Sequence, residues 1–194
     1  MKFSNREIID LIKAWFFISL AFSILFSNPL KNFSLYSFFL AFLLSSLTLG
    51  FSFLLHELAH KFLAQKYHCK AEFFAFPKML YLSVLMSFLG FIIAIPGAVF
   101  IHGRISREQN GKISLAGPLV NIALAIIFFL LLFLPFNNLK MLFTIGFSIN
   151  SWLAIFNILP IGNFDGRKVY DWNKNVYFVA SAIALILMAI SYIV

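Results

Sequence analysis

The sequence has few charged residues for its length, and this shortage decides its class. Only 11% of the 194 residues are charged and 62% are hydrophobic, whereas ordinary soluble domains are about 25% charged and about 45–50% apolar. Cys69 is the single cysteine, so an intrachain disulfide is excluded. An ordinary soluble domain is excluded as well, and the composition predicts a polytopic membrane protein.

Acidic residues are also scarce, which leaves a net charge of +8 from 15 Lys and Arg. The basic residues are spread through short loops between apolar runs, so they do not predict a nucleic-acid surface. All except Lys31 and Lys140 fall in four segments, at 1–13, 61–78, 102–112 and 162–175. Because cytoplasmic loops are enriched in Lys and Arg, these four segments and the N-terminus are predicted to lie in the cytoplasm.

The apolar runs predict an all-α membrane protein with about five transmembrane helices. The first run carries no small-residue cleavage site after it, so we interpret it as a retained span rather than a signal peptide. Lys31 and Asn32 form a short loop after it. The five runs cover residues 11–27, 33–67, 113–134, 139–159 and 176–194.

The segment 79–101 is also long enough to cross a membrane. It contains Gly90 and Pro96-Gly97, and basic loops precede and follow it. Because the positive-inside rule places both of these loops in the cytoplasm, the segment is predicted to enter and return, as a re-entrant or in-plane element. The C-terminus is then predicted to lie outside.

The second run contains the sequence His56-Glu57-Leu58-Ala59-His60. On a helix, residues four apart lie about 6 Å along the axis and about 40° around it, so both imidazoles can hold one metal ion. Glu57 is then close enough to contact a water on that ion, as in zinc hydrolases. The alternative is a polar cluster for helix packing, or a helix end that reaches the lipid headgroups.

Three further polar residues of this run share a side with the two histidines at helical spacing, so the stripe is predicted to face inward. It would either line a water channel or join helices. These residues are Ser45, Thr48 and Ser52.

A third ligand must come from the same depth as the histidines. Glu72 and Glu108 lie among basic loop residues, where solvated ion pairs are the commoner role, and His68 and His102 are surface histidines on the same grounds. Asp165 directly follows the fourth span. With five spans it emerges on the side of the histidines, whereas a full crossing by 79–101 would place it on the opposite face.

The sequence resembles the site-2 proteases, a family of intramembrane zinc metalloproteases. The resemblance is carried by His56-Glu57-Leu58-Ala59-His60, by Ala116-Gly117-Pro118-Leu119-Val120-Asn121, and by the stretch from Asn157 through Pro160 to Asp165-Gly166, in the family's order. The sequence departs from the commoner family form at Gly162-Asn163-Phe164, where prolines and a leucine usually precede the Asp-Gly pair.

The resemblance implies roles for individual residues. It implies that His56, His60 and Asp165 bind one zinc ion and that Glu57 is the general base. It also implies that Asn121 and Asn157 place the substrate or stabilise the transition state. From the residues alone, Asn121 is as well suited to bonding a neighbouring helix, and Gly117-Pro118 looks like a helix start.

We therefore expect a single membrane-embedded protease domain over 1–194, with a core at 35–170 and peripheral helices at 8–27 and 176–194. Its partners would be the lipid bilayer and a transmembrane protein substrate, cleaved near the cytoplasmic side of what is expected to be the cell membrane. The break at Ile95-Pro96-Gly97 could present a strand edge to an extended substrate. Two other classes stay open: a zinc-binding protein that binds membrane helices without cleaving them, and a metal transporter.

Overall fold

The computed structural model describes residues 1–28, 30, 34–92 and 95–193. The loop predicted at Lys31 and Asn32 lies outside the described residues. So do Phe33, the predicted start of the second apolar run, and Val194, the predicted end of the last one. The helices are α1 (Asn5–Ser27), α2 (Leu35–Ser45), α3 (Phe51–Lys66), α4 (Pro77–Ser87), α5 (Arg107–Leu131), α6 (Lys140–Asn157), α7 (Asp165–Trp172) and α8 (Lys174–Ser191), and the strands are β1 (Lys70–Ala75) and β2 (Gly97–His102).

Five helical segments within the described residues are long and apolar enough to cross a membrane, which confirms the predicted fold class. The second is the longest at 32 residues, because α2 continues through the π-helical turn Ser46–Gly50 into α3. The other four are α1, α5, α8, and the segment in which a 3₁₀ turn (Asn137–Leu139) leads into α6.

The segment 79–101 contains no helix of spanning length among its described residues. Helix α4 has 11 residues, which at 1.5 Å per residue is about half of a 30 Å hydrocarbon core. Strand β2 follows and pairs with β1 in a two-stranded sheet. The sheet was not predicted, because β1 lies in the segment interpreted as a basic loop and β2 lies at the end of an apolar run without distinct periodicity.

The chain divides into two compact units, and each is described by itself. The first comprises Met1–Leu54 and Glu72–Phe100, and the second comprises Leu55–Ala71 and Ile101–Val194. The prediction of a single domain over 1–194, with its core at 35–170, stays a prediction.

In the first unit, α1 packs against α2, the π-helical turn and α4. A Cβ at Gly50 would lie 2.6 Å from the Trp15 ring and 2.7 Å from Ser19 Oγ, so glycine allows α1 to approach the turn closely. Trp15 Nε1 donates a hydrogen bond to the Ser46 carbonyl at 3.2 Å. This bond engages a carbonyl in the turn where the helix departs from regular α geometry.

The predicted polar stripe faces inward as expected, since Ser45, Thr48 and Ser52 are all buried, as are the two histidines that follow. Thr48 Oγ1 donates to the Leu44 carbonyl at 2.7 Å. A hydroxyl bonded within its own helix and shielded from solvent favours the helix-packing interpretation over a channel lining.

Helix α1 also satisfies one edge of the sheet in the first unit. Glu7 Oε1 accepts from the Phe73 N–H at 2.9 Å, and Asp10 Oδ2 accepts from the Ala75 N–H at 3.2 Å. Residues two apart in a strand point their N–H groups to the same edge, so two carboxylates one helical turn apart cover the edge of β1 that faces away from β2. An edge with unpaired N–H groups would be costly in an apolar setting.

The second unit is a bundle of α5 to α8 together with most of α3. Its core joins three helices, and a Cβ at Gly146 of α6 would lie 2.7 Å from the Phe128 ring of α5. Glycine therefore lets α6 approach α5 closely at this level. The buried core residues are Ile122, Ala125, Phe147, Ala154, Ala184 and Leu187.

Helix α5 begins earlier than the sequence predicted. Ser106 Oγ accepts from the Gln109 N–H and the Gln109 side chain accepts from the Ser106 N–H, which forms a capping box before Arg107. The interpretation of Gly117-Pro118 as a helix start is therefore wrong, because Pro118 lies inside α5. Its missing N–H removes one helical hydrogen bond and opens the backbone of the preceding turn.

The edge cover by Glu7 can be tested by amide hydrogen exchange. In Glu7→Ala the Phe73 N–H loses its acceptor and should exchange about tenfold to a hundredfold faster, because an unmade buried hydrogen bond costs about 1–3 kcal/mol. Glu7→Gln keeps an acceptor oxygen and should retain most of the protection. The Phe76 N–H, which donates to the Pro96 carbonyl, serves as an internal reference. Unchanged exchange at Phe73 in Glu7→Ala would show that the carboxylate does not cover the edge.

Candidate metal centre

Two imidazoles meet on one face of α3. His56, Glu57 and His60 are all buried, with exposed fractions of 4%, 9% and 8%. The two histidines lie one helical turn apart, and their Nε2 atoms are 3.0 Å from each other. The helix geometry predicted from the spacing of the motif is therefore present.

Asp165 is brought to the same place by the loop between α6 and α7. Gly162 takes a left-handed conformation with φ +53°, which allows the chain to turn. A Cβ at Gly166 would overlap the Ile158 carbonyl oxygen at the end of α6, so only glycine lets α7 begin there. Phe164 packs on Phe156 of α6, with ring centroids 4.9 Å apart. The residues that depart from the commoner family pattern thus form part of the turn that carries Asp165.

The three donor atoms form a compact triangle. Asp165 Oδ2 lies 3.0 Å from His60 Nε2 and 3.4 Å from His56 Nε2. Ligands about 2.0–2.1 Å from a tetrahedral zinc ion lie about 3.3 Å from one another. Among the described residues these three form a group that could hold a metal ion.

Three lone-pair donors at this spacing repel one another unless positive charge lies between them. A proton shared with the carboxylate or a metal ion meets this requirement. Burial by itself raises the pKa of Asp165, but the charge of His60 and hydrogen bonds from both histidines outweigh burial and hold the pKa below its usual value. A lowered pKa favours the carboxylate form of Asp165, which is the form that can serve as an anionic ligand.

Gly117 of α5 leaves room for the centre. A Cβ at this position would lie 2.6 Å from His56 Nε2 and closer still to His60 Nε2. Any side chain here would occupy the space in front of both nitrogens. The glycine and the donor set together fit a small divalent cation that takes nitrogen and oxygen ligands.

The far sides of both imidazoles are held by acceptors. His60 Nδ1 lies 2.8 Å from the Ile113 carbonyl oxygen, and His56 Nδ1 lies 2.6 Å from Asn121 Oδ1. Each acceptor requires a proton on Nδ1 and so leaves the Nε2 lone pair available at the centre. Metal-binding histidines in proteins are commonly oriented in this way.

Sequence comparison identifies the family of the chain. The chain is 42% identical over 182 residues to the Methanocaldococcus jannaschii protein named "Putative zinc metalloprotease MJ0611", covering 92% of this chain and 90% of that protein. Residues 44–138 match the description Peptidase family M50. The chain belongs to peptidase family M50, the site-2 protease family.

A second relative from the same organism, "Zinc metalloprotease MJ0392", is 29% identical over 121 residues, which is 61% of this chain and 30% of that longer protein. No solved structure matches the chain. Membership of the family supports a metalloprotease embedded in a membrane.

The structure separates the two asparagines that were predicted to contact substrate. Asn121 is fully buried; its Oδ1 contacts His56 and its Nδ2 donates to Asn150 Oδ1 at 3.2 Å. Asn157 is half-buried and its Nδ2 donates to the Leu153 carbonyl of its own helix at 2.9 Å. Substrate contact by either asparagine stays a prediction, whereas the helix-bonding alternative for Asn121 is present in the structure.

Lys168 was missed by sequence reasoning. Its Nζ lies 3.7 Å from Asp165 Oδ1, the oxygen that faces away from the histidines. Lys168 lies three residues after Asp165 on α7, and this i, i+3 spacing was the available signal. Its side chain is 42% exposed, so the pair contributes little energy, although it favours the carboxylate orientation that directs Oδ2 inward.

The remaining candidate ligands lie elsewhere. His68 and His102 are exposed, and neither joins the metal-binding group found among the described residues. Glu108 pairs with Lys112 one turn later on α5, as expected for a loop-proximal acid. Glu72 accepts a hydrogen bond from Ser4 Oγ.

Gly117→Ala tests whether the space in front of the imidazoles holds the metal. The added methyl group would overlap both Nε2 atoms, so we expect at least a hundredfold loss of zinc affinity, measured by competition with a chelator. Gly50→Ala is the matched control, because its Cβ crowds the Trp15 ring of α1 rather than a metal ligand or the helix that carries Asp165. Equal zinc affinity in the two variants would contradict this placement of the metal.

Proposed function

We propose that this M50 chain is a zinc-dependent intramembrane endopeptidase that cleaves membrane-spanning helices. His56, His60 and Asp165 hold one zinc ion, and Glu57 is the general base. The observation that carries the proposal is the triangle of His56 Nε2, His60 Nε2 and Asp165 Oδ2, with separations of 3.0–3.4 Å. The names of the two relatives are consistent with zinc.

The charge balance of the centre supports a divalent ion. Two neutral imidazoles and the carboxylates of Glu57 and Asp165 carry a charge of −2, which one zinc ion neutralises. A centre that is neutral overall is tolerated in an apolar setting, whereas uncompensated buried carboxylates are costly.

In the proposed reaction Glu57 moves protons. When bound, zinc supplies a Lewis acid that polarises the scissile carbonyl and lowers the pKa of a water to about 7. Glu57 accepts a proton from the attacking water as the water oxygen bonds to the carbonyl carbon. It then donates this proton to the departing amine as the C–N bond breaks, which balances the reaction. His56, His60 and Asp165 hold their positions throughout.

The substrate is a transmembrane segment that must unwind before cleavage. A helix engages its carbonyls in hydrogen bonds to the residue four positions later, so an intact helix cannot present the scissile carbonyl. The distribution of Lys and Arg, thirteen on one predicted side and two on the other, supports a position of the centre near the cytoplasmic surface. The likeness to this family and the five apolar helices favour a multi-pass protein of the cell membrane, with 1–194 as one protease domain.

Strand β2 is the element we propose to receive the unwound substrate. In the described part of the chain the sheet has two strands, and Glu7 and Asp10 cover the outer edge of β1. The second edge of β2 therefore remains for an added strand, which main-chain hydrogen bonds would hold. This proposal refines the prediction that the break at Ile95-Pro96-Gly97 presents a strand edge.

Glu57→Gln separates the protease from the two other classes. The variant should bind zinc as the wild type does, yet cleave a model transmembrane helix about 10² to 10⁴ times more slowly, the usual contribution of a general base. Glu108→Gln is the control, because it neutralises an exposed acid on α5.

Cleavage at the wild-type rate by Glu57→Gln would refute Glu57 as the base. Absence of cleavage by wild-type protein with full zinc occupancy would favour a helix-binding protein. Zinc uptake into vesicles that contain the wild-type protein, without cleavage, would favour a transporter.

Proline substitution tests the role of β2. Successive residues of a strand point their N–H groups to opposite edges, so Val99→Pro and Phe100→Pro remove donors from different edges. One variant should lose the pairing with β1 and be destabilised. The other should keep its fold and zinc but cleave at least tenfold more slowly. Wild-type cleavage rates in both variants would contradict strand addition at β2.

A further inference from the structure

Asn150 of α6 belongs to no sequence motif of the site, yet its side chain is fully buried within two hydrogen bonds of a histidine. We propose that Asn150 is a positioning residue that fixes the tautomer of His56 by acting through Asn121. The inference deepens the proposed function and rests on it in so far as His56 is a metal ligand. Neither asparagine need touch the substrate in this role.

The hydrogen bonds form one continuous chain from a backbone carbonyl to the imidazole. Asn150 Nδ2 donates to the Gly146 carbonyl oxygen at 2.8 Å. Asn150 Oδ1 accepts from Asn121 Nδ2 at 3.2 Å, and Asn121 Oδ1 lies 2.6 Å from His56 Nδ1. Both asparagines have an exposed fraction of 0%, so water does not compete for these groups.

The donor-to-acceptor direction of this series of hydrogen bonds is set at the Gly146 carbonyl. A carbonyl oxygen only accepts, so the amide nitrogen of Asn150 must face it. The amide oxygen of Asn150 must then face Asn121, whose nitrogen turns toward it and whose oxygen turns toward His56. His56 is thereby required to carry its proton on Nδ1, and its Nε2 presents a lone pair to the centre.

If the hydrogen bonds ran in the opposite direction, His56 could not present a lone pair to a metal ion. If both amides were rotated, Asn150 Oδ1 would face the Gly146 carbonyl oxygen, and two acceptors would be in contact. Asn121 would offer an N–H to His56 Nδ1, and the imidazole proton would move to Nε2. There it would point at Asp165 Oδ2, 3.4 Å away, and would block the lone pair that a metal ion needs.

The two histidines therefore differ in what fixes them. His60 Nδ1 contacts the backbone carbonyl of Ile113 directly, and that acceptor cannot rotate. His56 contacts a side-chain amide, which can rotate and needs Asn150 to hold it. A substitution at Asn150 should consequently disturb His56 and leave His60 unchanged.

The packing of α6 on α5 makes this series of hydrogen bonds possible. Gly146 provides the carbonyl at the end of the chain, and its missing side chain is also what admits the Phe128 ring of α5. The close approach of the two helices brings Asn150 within reach of Asn121 across the interface. Asn150 thus bonds a neighbouring helix, and the hydrogen bonds continue from there to the histidine.

Three variants in the full-length, detergent-solubilised protein test the proposal. Asn150→Leu keeps the approximate shape but removes both hydrogen bonds. Asn150→Asp keeps them when its carboxyl group is neutral, which burial favours, since the C=O accepts from Asn121 and the O–H donates to Gly146. Ser151→Ala removes a buried hydroxyl from the same helix, bonded only to the Phe147 carbonyl in the described structure.

Two readouts are needed, and neither is activity. The first is zinc affinity, measured by competition with a chelator. The second is ¹⁵N NMR of histidine-labelled, zinc-free protein at a pH where the imidazoles are neutral, because the two ring nitrogens report which one carries the proton. Asn150→Leu should lose about tenfold to a hundredfold in zinc affinity, the usual effect of removing such a partner, and should show a population of His56 with the proton on Nε2.

Asn150→Asp should restore both readouts toward wild type, and Ser151→Ala should leave both unchanged. Wild-type zinc affinity and tautomer in Asn150→Leu would overturn the inference. So would a wild-type His56 with its proton on Nε2, a result that needs no folded variant. If the wild type binds no zinc, the proposed function fails, and the NMR readout alone still decides whether Asn150 sets the tautomer.

Discussion

The structure depends on one electrostatic constraint, the meeting of a carboxylate and two imidazole nitrogens within 3.0–3.4 Å. These donors come from α3 and α7, and the histidines and Asp165 are more than a hundred residues apart in the chain. Three lone-pair donors at such spacing are stable only around positive charge. Gly117 admits that charge, Gly166 allows α7 to begin beside Ile158, and acceptors behind each imidazole turn its Nε2 toward the centre.

The few acidic residues of the chain have identifiable partners. Ionisable groups are costly in an apolar environment unless a partner satisfies them. Glu7 and Asp10 accept from backbone N–H groups of β1, and Asp165 faces the histidines. Glu108 and Asp171 pair with basic residues of their own helices, and Glu72 accepts a hydrogen bond from Ser4 Oγ. Several of the few acids thus satisfy a strand edge, pair with nearby cations or form the centre.

Much of the centre could be predicted from the sequence, because its signals are local or topological. The spacing of His56 and His60 requires only a helix. Asp165 followed from counting spans, which succeeded once the basic loops on both sides of 79–101 had excluded a full crossing. The five spanning helices were predictable for the same reason, since long apolar runs between basic loops have few alternatives.

Other features depended on tertiary contacts that leave weak marks in sequence. The π-helical turn at Ser46–Gly50 lies in a stretch interpreted as continuous helix. Strand β1 lies in the basic segment 61–78, and β2 lies at the end of the segment interpreted as re-entrant. Pro118 looked like a helix start, but the capping box at Ser106 begins the helix eleven residues before it. Asn150 carries no local motif, and its link to His56 is visible only when α5 and α6 are packed together.

The most direct test of the central claim is zinc stoichiometry combined with X-ray absorption spectroscopy on the purified full-length protein. The structure predicts one zinc ion per chain, with two imidazole nitrogens at about 2.0–2.1 Å and carboxylate oxygen at about 2.0–2.2 Å, and loss of the carboxylate ligand in Asp165→Ala. Protein that stays folded yet takes up no zinc, or an unchanged zinc environment in Asp165→Ala, would contradict it.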